Sequence, residues 1–103
     1  MTGRFYIVTF DLQYSKGREA EYPRADAALR LRFGSQNFWK IVKQCRIVRT
    51  NEDARQIRAT LQQVLGGNCN ILVVRLRRGY AFKLTTPIAR IVARDCLQQI
   101  PSL

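Results

Sequence analysis

The chain has 103 residues, room for one domain with one modest core. Hydrophobic residues make up 47% of it, which argues against disorder, and no apolar run approaches the roughly 20 residues of a membrane helix. Eighteen Lys and Arg against seven Asp and Glu give a net charge of +11, and the lack of histidine excludes His-based acid–base and Ser-His-Asp chemistry.

The start, MTGRFY, does not read as a signal peptide, so the expectation is a soluble, cytoplasmic protein. Cys45, Cys69 and Cys96 are odd in number and form no CxxC, which argues against zinc and against a disulfide framework. A chain this basic repels itself, and a polyanionic partner is the natural compensation. Arginine dominates the cations, and its planar fork suits phosphate.

Phe5–Leu12 alternates as a strand should, with Tyr6, Val8, Phe10 and Leu12 on a core face. Phe5, Ile7, Thr9 and Asp11 form a mixed face that wants a partner of its own. A polar loop from Gln13 to Glu21, containing Ser15, Lys16 and Gly17, follows. Tyr22, Ala25, Leu29 and Phe33 mark a helix that starts near Pro23 and ends at Gly34.

Phe38–Thr50 reads as one long bent strand, or two short ones meeting at a bulge, with Arg46 and Arg49 on opposite faces. Asn51 is the expected cap of a second helix with the stripe Ala54, Ile57, Leu61, Val64 and Leu65, closed by Gly66-Gly67. Asn70–Arg77 is a further strand, with Leu72, Val74 and Leu76 as its continuous apolar face. Gly79 bends the chain before a short strand, 80–84. Thr86 and Pro87 open a last helix that stops before Pro101.

This order predicts an α+β fold. It is a ferredoxin-like βαββαβ antiparallel sheet with helices on one face, plus a C-terminal short strand and helix. Residues 1–103 form a single domain, with the core over about 4–84 and the last helix over about 86–99.

Several constellations are candidates for function. Arg46, Arg49, Arg75, Arg77 and Arg78 sit on strands, where the sheet would pin them into a rigid phosphate-tracking surface. Arg90 and Arg94 lie four residues apart on the last helix, where they could reach adjacent phosphates and where surface decoration explains them equally well. Arg30, Arg32, Lys40 and Lys43 gather around the end of the first helix, where solubilising charge explains them as well. Asp11 ends a strand where a carboxylate could hold a divalent metal, Mg2+ or Mn2+, and a second copy could bring a second carboxylate. The residues alone favour the simpler reading, an Asp that caps the following loop.

The runs YIVTFDL, FWKIVKQCRIVRT and ILVVRL, with a second helix opening Asn-Glu-Asp-Ala, resemble the Cas-two family over roughly residues 4–84. These are small CRISPR-associated proteins of ferredoxin-like fold, with SinR-like and VapD-like relatives. The resemblance implies a homodimer joined through its sheet faces and nucleic acid, DNA or RNA, bound across a basic surface. In some relatives it implies magnesium- or manganese-dependent endonuclease activity through the Asp that ends the first strand, here Asp11. The loop after Asp11 departs from the pattern, since it lacks the further acids that many relatives carry.

Three functions follow as expectations. The first is a basic nucleic-acid-binding protein that grips the phosphate backbone. The second is a metal-dependent nuclease using Asp11. The third is a protein-interaction module, such as a toxin–antitoxin or phage partner.

Overall fold

In the computed structural model, residues 3–12, 20–67, 69–77 and 83–100 are described. Strand β1 (Arg4–Leu12) is the hub of a four-stranded sheet. It is followed by helix α1 (Glu21–Phe33) and a 3-10 turn at Ser35–Asn37. A hairpin of β2 (Phe38–Val42) and β3 (Cys45–Thr50), helix α2 (Ala54–Leu65), β4 (Cys69–Leu76) and helix α3 (Pro87–Leu97) complete the order. The sheet runs β2-β3-β1-β4, and every neighbouring pair is antiparallel. The fold is therefore mixed α+β, and no described helix is long and apolar enough to cross a membrane.

Local signals explain the element ends. Gly34 closes α1 at a φ of 93°, a backbone region that side chains avoid. The cap of α2 is Asp53, two residues later than Asn51. Its carboxylate accepts from the Gln56 N–H at 3.0 Å, and the Gln56 side chain accepts from the Asp53 N–H at 2.8 Å. That reciprocal box satisfies two otherwise orphaned donors, which Asn51 is too far upstream to do. The run from Phe38 to Thr50 is a hairpin turning at Lys43-Gln44, with the register slipping between Lys40 and Val42.

The main core lies between one sheet face and α1 with α2. Tyr6, Val8, Phe10 and Val48 meet Ala25, Leu29 and Phe33 of α1 and Ile57, Leu61 and Leu65 of α2. Burying each such aliphatic or aromatic side chain contributes about 1.5–3 kcal/mol.

Two expectations are corrected here. The first is that helices lie on one face only. A second cluster joins Phe5, Trp39 and Ile47 to Ala93, Cys96 and Leu97, so α3 packs on the opposite face. The Trp39 indole N–H donates to Asp95 Oδ2 at 3.1 Å and ties β2 to that helix. The apolar residues Phe5 and Ile7 needed cover, and the chain supplies it itself.

The second correction concerns β4. Its register pairs Ile71, Val73 and Arg75 with Phe10, Val8 and Tyr6, so Ile71 and Val73 join the α2 side. Leu72 and Val74 point the other way and are 59% and 47% exposed. The more continuous apolar triplet does not face the main core, because β4 is an edge strand and its register follows β1. The expected short strand at 80–84 lies mostly outside the described residues, and Lys83 and Leu84 are not in strand.

Candidate nucleic-acid interface

The acids sort the arginines. Asp26 is buried on α1 and receives Arg46 of β3 from Nε at 2.7 Å and from Nη2 at 3.2 Å, with Lys40 Nζ 3.8 Å away. Arg46 also donates to the Lys43 carbonyl and lies 4.6 Å over the Phe10 ring. It is 0% exposed. Its expected role as a surface phosphate contact is thus corrected, since a buried and fully engaged guanidinium cannot reach a polymer without tearing the core.

Arg49 lies on the α3 side and is half-buried. Its Nε and Nη2 both donate to Asn37 Oδ1, at 2.9 and 2.6 Å, and Nη1 donates to Gln99 Oε1 at 3.2 Å. It belongs to a polar cleft rather than to an open arginine-bearing strand face. Arg32 pairs with Glu52 at 2.5 Å, and that carboxylate raises its already high pKa. Arg30 sits 4.7 Å over Phe38, and Lys43 lies 5.6 Å over Tyr22. The cations around the end of α1 are therefore spent on acids and rings of the same chain.

Most of the remaining cations gather in the second half of the chain. Residues 54–94 hold eight Lys or Arg and no Asp or Glu. Arg55 and Arg58 on α2, Arg75 and Arg77 on and just past β4, and Arg90 and Arg94 on α3 are all exposed. None of these six forms an ion pair among the described residues. Helix α2 returns through Gly66-Gly67 into β4, and the two elements pack together. The start of α2, with Arg55 and Arg58, therefore lies toward the end of β4 that carries Arg75 and Arg77. Arg90 and Arg94 belong to the other side of the sheet. Arg78 lies outside the described residues, as do Gln13, Tyr14, Ser15 and Gly79.

Asp11 is exposed at the end of β1 and lines a cleft of about 200 Å³ with Thr9, Gln44 and Asn70. That donor set has one carboxylate, and no group of three or more His, Cys, Asp or Glu occurs among the described residues. A magnesium or manganese site built by protein commonly rests on carboxylates. These residues do not make one by themselves.

The sequence reading missed Asp26. The signal was present: position 26 lies four residues after Tyr22 and three before Leu29, on the buried stripe of α1. An acid on such a stripe calls for an internal cation. It also missed Asn37, which holds Arg49 and is itself fixed by donating to the Phe33 carbonyl at 2.7 Å.

The chain matches no family model, no curated protein and no solved structure.

Proposed function

We propose that the chain binds nucleic acid through the surface formed by the start of α2 and the end of β4. The observation that carries this reading is the concentration of Arg55, Arg58, Arg75 and Arg77 on and beside two packed elements that hold no acid past the Asp53 cap. Arg75 is anchored by the sheet, so its position costs less entropy to fix than that of a loop arginine. Such a surface contacts phosphates and leaves base edges unread, giving affinity with little sequence preference. Arg90 and Arg94 offer a second basic side.

The ferredoxin-like reading belongs to this proposal. It is supported by the strand order β2-β3-β1-β4, the antiparallel pairing and the placement of α1 and α2 on one face. The resemblance to the Cas-two family supports the same reading, with one change. A homodimer would use the part of the second face that α3 leaves open, around Leu72 and Val74, because Phe5 and Trp39 are already covered. The nuclease alternative rests on Asp11 alone, and the protein-interaction alternative predicts a partner complex that salt does not weaken. The test is the salt dependence of polynucleotide binding, with charge reversal at Arg75 and Arg77.

A further inference from the structure

A second polar cleft, of about 230 Å³, lies at the other end of the sheet from Asp11. Gly3, Arg32, Asn37, Arg49, Thr50 and Asn51 line it, with Phe33 and Glu52. Its chemistry is unlike that of the α2–β4 surface. Arg49 is half-buried, yet the oxygens that receive its N–H groups belong to neutral amides, Asn37 and Gln99. A guanidinium has five N–H donors. Among the described residues three are used, which leaves one on Nη1 and one on Nη2.

The cation is also pinned. Asn37 is anchored to the Phe33 carbonyl, and the Phe5 and Trp39 rings lie 5.8 and 6.0 Å from the guanidinium carbon. Gly3 passes so close that a Cβ there would sit 2.8 Å from Arg49 Cγ. A partly desolvated cation that pairs with no described carboxylate is costly, and an arriving anion offsets that cost. Thr50 Oγ1 accepts the Glu52 N–H at 3.1 Å, which leaves its own O–H to donate.

We propose that this cleft binds one phosphate group, as a monoester or as free phosphate. The volume is below the roughly 300 Å³ at which pockets for drug-sized ligands begin, so a small group is the fitting occupant. Glu52 stands in the cleft with its carboxylate held by Arg32. An incoming anion must compete with that carboxylate for Arg32. A group carrying close to two charges does so better than a singly charged diester or carboxylate. Phosphate also presents enough oxygens to take both spare Arg49 donors and the Thr50 hydroxyl.

The test is an amide-resolved NMR titration of the full chain with inorganic phosphate, adenosine 5′-monophosphate and acetate. The expected result is saturable shifts at Asn37, Thr50 and Asn51 for the first two probes and not for acetate. Tighter binding of the nucleotide assigns an esterified phosphate, and equal binding assigns the free ion; both support the site. Arg49→Gln should weaken phosphate by about tenfold or more, and Glu52→Gln, which keeps Arg49 in place, should tighten it. Binding of the nucleotide should strengthen as pH rises through about 6, where a phosphate monoester gains its second charge. The proposal is overturned by equal acetate binding, by unchanged affinity in both variants, or by shifts confined to α2 and β4. That last outcome would leave the polynucleotide surface standing while removing this cleft.

Discussion

The Arg46 guanidinium is fully buried against Asp26, with Nε 2.7 Å from Oδ1, and it joins β3 to α1. Removing one partner leaves a buried charge uncompensated, so Asp26→Ala should cost about 3–5 kcal/mol in denaturant unfolding. Replacing both, as Asp26→Leu with Arg46→Met, should recover most of that loss. The double variant should bind polynucleotide as well as wild type, because Arg46 never reaches solvent.

Trp39 is the sole tryptophan, and it reports on α3 through its contact with Asp95. Ala93 lies buried between that helix and the sheet. Ala93→Glu should undock α3 and shift the Trp39 emission to the red while leaving most far-ultraviolet helix signal. Unchanged emission would mean that the second cluster does not depend on α3.

Burial, with Asp95 nearby, pushes the Cys96 thiol from 9.0 up to about 12. A raised value means that the folded state holds this proton more tightly than the unfolded chain does. The stabilisation is therefore whole below about pH 9 and is lost as pH rises toward about 12. The stability advantage of wild type over Cys96→Ala should shrink between about pH 7 and about pH 10, measured by urea unfolding at each pH.

Asp11 lies away from the arginine surface and brings a single carboxylate to its cleft. Asp11→Asn should leave polynucleotide affinity within about twofold of wild type, and so should a chelator. A loss of cleavage in the variant, with binding retained, would instead establish the nuclease alternative.

Periodicity made the main core legible. The stripes of α1 and α2 and the Tyr6, Val8, Phe10 face of β1 all meet where alternation and helical spacing put them. Two features were not legible. The face chosen by β4 is decided by its pairing with β1, and both of its faces are apolar enough to be buried. The docking of α3 on the second face depends on a long-range contact between Trp39 and Asp95 that no local pattern encodes. Among the candidate site residues, spacing could not separate Arg46 from Arg75, since both are strand arginines. Asp26, distant in sequence, claims only the first.

The most direct measurement is the affinity for a fluorescent polynucleotide across a salt series, for wild type, Arg75→Glu with Arg77→Glu, and Arg24→Glu on α1. Wild-type affinity should fall steeply with salt, and the β4 variant should lose affinity at every salt concentration and flatten the slope by about one unit per phosphate contact removed. Arg24→Glu should change little. Equal losses in the two variants, or binding indifferent to salt, would contradict a site at the α2–β4 surface.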